Sequence, residues 1–209
     1  MCIRDRANGD SMVVVTARHA FNGREKDPIY VLIEEEVVRL GGQIQQAQNM
    51  KYLHDDIAVV KVENETREKV DTKCERLLFH DSKIGTPAKI ASHDLKIGDI
   101  VHKRGAKTHL TTGVVKDIKT GVIGRFPESS LIIYITGMDG TQLFADKGDS
   151  GSLVYQQSLS PTHDVLEVHA MVQGREPDQI QDIICFPFIQ GCETLHRNIP
   201  DLAPIKFFD

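Results

Sequence analysis

Along the chain, apolar and β-branched residues recur with a period of two in short runs, and Gly, Asp or Pro separate the runs. This pattern predicts strands at Met12–Thr16, Ile29–Ile33, Val37–Gln48 (broken at Gly41-Gly42) and Ile57–Val62. Residues Glu63–Lys96 are mixed and charged, carry Pro87, and are expected to connect rather than to form regular structure. A second series of strands is predicted at Asp99–Lys103, Thr112–Lys119, Leu131–Thr136, Ser152–Gln156, Val165–Val172 and Asp182–Phe186. Gly191–Arg197 predicts a short terminal helix, which Pro200 ends. Strands at this density, with no helices between them, specify an all-β sandwich or barrels.

The two halves are unequal. About four strands precede the connector and six follow it. Six strands can close a small barrel, whereas four leave edges with unpaired N–H and C=O groups. The expected partition is therefore 1–63 as a first, incomplete barrel, 64–97 as connecting segment, and 98–209 as a second barrel with the terminal helix.

Composition removes several function classes. The 209 residues are 40% hydrophobic and 26% charged, which excludes a disordered or fibrous chain. The longest apolar run without a proline, Leu131–Ile135, is far too short to span a bilayer, so no membrane partner is expected. A net charge of −5, without a basic tract or any Trp, argues against a nucleic-acid surface. Cys2, Cys74, Cys185 and Cys192 show no C-x-x-C and no regular spacing, and read as scattered thiols in a reducing compartment. Cytoplasmic localisation is the expectation. Secretion stays open, because the first six residues (MCIRDR) match no strand or helix pattern and read as foreign to the chain.

Three segments carry candidate chemistry. Val15-Thr16-Ala17-Arg18-His19 sets a histidine directly after a strand. His54-Asp55-Asp56-Ile57-Ala58-Val59-Val60 opens another strand with an acid. Asp146-Lys147-Gly148-Asp149-Ser150-Gly151 holds a serine in a glycine-flanked turn that leads into a third. A serine hydroxyl needs an adjacent imidazole to take its proton, and that imidazole needs a carboxylate on its other nitrogen to fix the tautomer. The glycines permit backbone conformations in which neighbouring amides can point at one developing oxyanion. Singly, each segment has an ordinary reading as a turn, a structural histidine or a solvated loop. Together, in this order and each beside a strand, they specify a nucleophilic site.

T-A-x-H, D-I-A-V-V and G-D-S-G, spaced 37 and 94 residues apart, resemble the chymotrypsin-like serine peptidases, in particular a disulfide-poor branch. Arg104–Val115 resembles the glycine- and threonine-rich hairpin that opens the second barrel, with His109 where a glycine is more usual. The resemblance covers roughly residues 12–190, with about 30 motif-like positions. It implies a double six-stranded β-barrel with a short C-terminal helix, the first barrel truncated at its N-terminus. It implies His19 as general base, Asp56 as the acid orienting it, and Ser150 as nucleophile. Gly148 and Ser150 would supply oxyanion amides, and Val172-Gln173-Gly174 would be the strand edge that pairs with a bound peptide. Asp56 is chosen over Asp55 because it directly precedes the strand.

The departures from the family are informative. Ala20 stands where many secreted members carry a cysteine, so the disulfide of that loop cannot form. No I-V-G-G-like cleavage site precedes Met12, so Asp149 must find a partner other than a newly released amino terminus. Phe144, six residues before Ser150, replaces the pocket-floor carboxylate of the trypsin branch, and a Lys or Arg cleavage preference is not expected. Only eleven residues precede Met12, which reads as a fragment lacking the first strands.

The expected function is a serine endopeptidase acting on peptide or protein substrates through an acyl-enzyme, without cofactor. Two alternatives stay open: a catalytically inactive, peptidase-like binding module, and a domain that cleaves once within its own precursor. His80, His93, His102, His163 and His196 are read as surface or structural residues. A metal is not expected even beside His54-Asp55-Asp56, since no H-E-x-x-H, paired cysteines or calcium-type loop is present.

Overall fold

The structure, a computed structural model, describes residues 2–5, 11–21, 29–33, 36–41, 44–46, 49–63, 65–66, 88–138, 143–159, 164–175, 181–202, 205 and 207. The N-terminal half contributes β1 (Cys2–Asp5), β2 (Ser11–Ala17), β3 (Ile29–Ile33), β4 (Glu36–Gly41), β5 (Ile44–Gln46) and β6 (Ile57–Lys61). The C-terminal half contributes β7 (Ala88–Ile90), β8 (Ile100–Gly105), β9 (His109–Ile123), β10 (Phe126–Gly137), β11 (Leu153–Leu159), β12 (Asp164–Arg175), β13 (Ile183–Pro187) and the helix α1 (Phe188–Asn198).

The second barrel closes. Its strand order is β11-β8-β9-β10-β13-β12, and pairing of β11 with β12 completes the ring of six. Side chains alternate across its wall, as period-two sequences require. Thr111, Gly113 and Val115 of β9 are buried between more exposed neighbours. Ile133 and Ile135 of β10, Val172 of β12 and Cys185 of β13 fill the interior with Val101, Phe144 and Val154. The opposite faces of the same strands (Ile132, Tyr134, Ile184 and Phe186) meet Val13, Val15, Ile57 and Val59 of the N-terminal half. β13 is therefore buried at every position, which explains its unbroken apolar run. α1 lies over this seam with Phe188 and Leu195 fully covered, each burial stabilising by roughly 1.5–3 kcal/mol.

In the N-terminal half, the strand order is β1-β2-β6-β5, with β3 and β4 as a separate hairpin. No closed ring forms there among the described residues. Two sequence expectations need correction. Cys2–Asp5, read as fitting no strand, pairs antiparallel with β2 from Cys2↔Val14 to Asp5↔Ser11. The connector also holds a strand: β7 runs parallel to β12, with Leu166 opposite Ala88. Its three residues, Ala88-Lys89-Ile90, are too few to show a period. Residues 67–87, including Pro87, lie outside the described residues. No helix among the described residues is long and apolar enough to cross a membrane.

Candidate active site

The pairing of β2 with β6 puts Ala17 opposite Ile57, so His19 emerges from one strand end beside Asp56 at the start of the other. The Arg18 amide donates to the Asp56 carbonyl at 3.2 Å and holds the two ends together. His19 Nδ1 and Asp56 Oδ2 lie 2.6 Å apart, and the His19 amide donates to Oδ1 at 2.9 Å. The Asp56 side chain is wholly buried, whereas a quarter of the His19 side chain is exposed. Two further donors reach the same carboxylate: Gln173 Nε2 at 2.8 Å and Arg125 Nη2 at 3.4 Å.

Asp55 has a different task. Its Oδ2 accepts from the Lys51 and Tyr52 amides at 2.9 and 2.8 Å, and Thr194 of α1 approaches Oδ1 at 3.4 Å. The Leu53 amide meanwhile donates to Ser130 Oγ of β10 at 2.8 Å. These bonds anchor the short 3-10 turn Leu53–Asp55 from which Asp56 projects.

Ser150 comes from the second barrel. Gly148 and Gly151 adopt φ of +109° and +86°, the left-handed region in which a Cβ is penalised. The Gly151 amide donates to the Val172 carbonyl at 2.8 Å, and the Val172 amide to the Ser152 carbonyl at 2.9 Å, which docks the turn on β12. A Cβ on Gly151 would lie 2.7 Å from the Ala17 amide nitrogen, so the turn also packs directly against the end of β2. That contact brings the nucleophile turn against the end of β2 that carries His19. Ser150 and His19 line one open cavity of about 450 Å³, together with Arg125, Ala145–Lys147, Ile183 and Val172–Arg175. The Ser150 hydroxyl donates to the Gln173 carbonyl at 3.0 Å.

Asp149 points the other way, into the barrel. It accepts from the Lys107, Thr108 and Asp146 amides at 2.7, 3.2 and 3.0 Å and from Thr108 Oγ1 at 2.7 Å. Lys103 Nζ stands 3.3 Å away, and both side chains are fully buried. Burial opposes ionisation of Asp149, but the donated hydrogen bonds and the Lys103 charge outweigh it and hold its pKa below the usual value. Burial lowers the Lys103 pKa, and Asp149 offsets part of that shift. The buried ammonium of Lys103 is thus the partner Asp149 was expected to need.

Of the substrate-binding residues expected from the sequence, Val172, Gln173 and Gly174 line the cavity. Phe144 does not. It is fully buried in the barrel interior, with its carbonyl bonded to Thr111 Oγ1 at 2.6 Å, and the cavity wall at this point is Ala145-Asp146-Lys147. The apolar ring gains more inside the barrel than in a polar cleft. Sequence reasoning missed Lys103, Arg125, Arg175 and the side chain of Gln173. Each lies in a strand or hairpin, and only the tertiary pairing reveals its partner. Arg175 Nη2 contacts Asp146 Oδ1 at 3.3 Å and the Ala145 carbonyl at 3.4 Å.

A closed six-stranded barrel beside a second sheet, a cleft between them and a short C-terminal helix make up the fold of the chymotrypsin-like serine proteases. Similar solved structures include the Rv3671c protease of M. tuberculosis in its inactive form (14% identity, 95% of this chain and 87% of that one, TM-score 0.55). Protease A of Thermobifida fusca is similar too (16% identity, 97% and 89% covered, TM-score 0.50). So is a glutamic-acid-specific serine protease that uses a histidine triad in substrate binding (15% identity, 99% and 91% covered, TM-score 0.51). At such identities the likeness shows the fold. The sequence matches no protein-family model and no curated protein.

Proposed function

We propose that the protein is a serine endopeptidase that hydrolyses peptide bonds through an acyl-enzyme. Ser150 attacks the scissile carbonyl while His19 takes the hydroxyl proton at Nε2. Asp56, on Nδ1, keeps the ring in the tautomer that leaves Nε2 free and stabilises the imidazolium that forms. His19 then protonates the departing amine, and a water activated by the same nitrogen releases the acyl group.

The Gly148 and Ser150 amides are the oxyanion donors in this reading. The Asp149, Gly151 and Ser152 amides donate to backbone carbonyls, whereas among the described residues those of Gly148 and Ser150 do not. A peptide backbone would add to β12 beyond Met171, where the register with β11 ends while that with β13 continues to Arg175. Cleavage after Lys or Arg is disfavoured, because Arg125, Lys147 and Arg175 line the cavity and Asp146 is already occupied by Arg175.

The observation that carries the proposal is the 2.6 Å contact of His19 with a buried Asp56 in the wall of a cavity that also holds Ser150. The test is labelling with a fluorophosphonate. The native protein is expected to label at Ser150, and Ser150→Ala to lose the label. Absence of label on soluble protein, or label that survives Ser150→Ala, would overturn the reading.

The hydroxyl of Ser150, donated to a backbone carbonyl, supports a second reading in which the cleft binds peptides without turnover. Saturable peptide binding with no product would decide for it.

A further inference from the structure

Away from the cleft, three metal-ligating side chains converge at the other end of β12. Glu167 and His169 are two apart on this strand, His169 at the irregularity where Val154 pairs with Ala170 and Tyr155 with Val168. The parallel register of β7 sets Lys89 opposite Glu167 and Ile90 opposite Val168. The Ala91 amide then donates to the Val168 carbonyl at 2.9 Å, which leads the chain on to bring His93 against His169. One ligand atom from each of His93, Glu167 and His169 lies within 4.8 Å of the other two.

Two details point to an ion rather than to packing alone. His169 is 7% exposed, yet its Nε2 is buried with no hydrogen-bond partner in the structure. The His93 ring meets the His169 ring edge to face, with centroids 4.9 Å apart. An orphaned buried nitrogen otherwise costs about 1–3 kcal/mol. The Glu167 carboxylate is likewise divided: Oε1 holds Lys89 at 2.9 Å, while Oε2 faces His93 Nδ1 at 4.0 Å, too far for a hydrogen bond.

We infer that His93, Glu167 and His169 form a binding site for one divalent zinc-type ion, which clips the entry to the second barrel onto β12. Two imidazoles and one carboxylate suit Zn2+, with water in the fourth position. Bond lengths of about 2.0–2.2 Å in a tetrahedron separate ligand atoms by roughly 3.4 Å, so the three must draw together by an ångström or so. His93, with its side chain 53% exposed, has the freedom to make that movement. Lys89 keeps Oε1 and orients the carboxylate, leaving Oε2 for the ion. No metal was expected from the sequence because the ligands come from a loop and a strand 74 residues apart, and no spacing motif spans that distance. The inference does not depend on the peptidase reading.

The test is equilibrium dialysis of the full, tag-free chain against Zn2+, with Co2+ as spectroscopic probe. One Zn2+ per chain is expected, together with visible Co2+ bands of four-coordinate intensity and a higher melting temperature in Zn2+. His93→Ala, an exposed change that leaves the strands intact, is expected to weaken binding by about a hundredfold or more, beyond the 10–100-fold cost of losing an outer-shell partner. His169→Asn and Glu167→Gln should act in the same direction, and the thermal shift should vanish in each. No stoichiometric uptake by the native chain, or uptake unchanged in His93→Ala and Glu167→Gln, would overturn it.

Discussion

Lys103 and Asp149 lie 3.3 Å apart with neither side chain exposed to solvent, and this pair ties the nucleophile turn to the hairpin that opens the second barrel. The ammonium also donates to Thr108 Oγ1 and, at 3.3 Å, to the His109 carbonyl, so each of its three protons has an acceptor. Removing one member of a buried pair strands the other, which typically costs about 3–5 kcal/mol. Lys103→Met is expected to destabilise by that order in urea unfolding. The double variant Lys103→Met, Asp149→Asn should recover part of the loss, because no uncompensated carboxylate is left. A double variant no more stable than the single one would show that the pair is not the source of the effect.

Asp149 also dictates a pH dependence. Its folded pKa is depressed, so between that value and the ordinary carboxylate pKa the unfolded chain binds the extra proton. Its stabilisation is therefore complete above the unfolded pKa of about 3.9 and is lost as pH falls through the lower folded value. Melting temperature is expected to drop on acidification below about pH 4, and the drop should be shallower in Asp149→Asn. Equal acid limbs in the two proteins would contradict this.

The nucleophile turn gives a paired test of backbone strain and contact. Gly151 and Gly124 both have positive φ, but a Cβ on Gly124 meets nothing within 4 Å, whereas one on Gly151 sits 2.7 Å from the Ala17 nitrogen. Gly124→Ala is expected to cost about 1–3 kcal/mol from strain alone. Gly151→Ala should add a contact cost of similar size and push the two halves apart. Thermal denaturation would rank them, with Gly151→Ala the lower.

Much of this arrangement was legible in the sequence. The closed barrel could be read because β8–β13 each fall on a short apolar or β-branched run set off by Gly, Asp or Pro. Near the expected break at Gly41-Gly42, β4 ends at Gly41 and β5 begins at Ile44. His109, which stands where glycine is more usual, has φ of +53°, the left-handed region that favours glycine. Asp56 rather than Asp55 meets His19, as its place before β6 implied. What escaped notice depends on partners distant in the chain. The Lys103 and Asp149 pair joins residues 46 apart in the chain, Phe144 turns inward where a pocket floor was expected, and the His93, Glu167 and His169 cluster arises beside a parallel pairing of three residues.

Gln173 couples both ends of the candidate site, since its carbonyl accepts the Ser150 hydroxyl and its side chain donates to Asp56 Oδ2 at 2.8 Å. A side chain that acts only on the orientation of Asp56 and His19 should affect turnover rather than substrate binding. A hydrogen bond to a charged group contributes about 1.5–3 kcal/mol, so Gln173→Ala is expected to lower kcat by roughly ten- to a hundredfold with KM nearly unchanged. Gln173→Glu keeps the length but faces Asp56 with a like charge, and should lose at least as much. Arg125→Ala should cost far less, because that guanidinium is half exposed and 3.4 Å away. Steady-state kinetics on any cleaved peptide checks all three. A rise in KM at constant kcat would instead make Gln173 a substrate-binding residue, and equal losses in Gln173→Ala and Arg125→Ala would remove its special claim on Asp56.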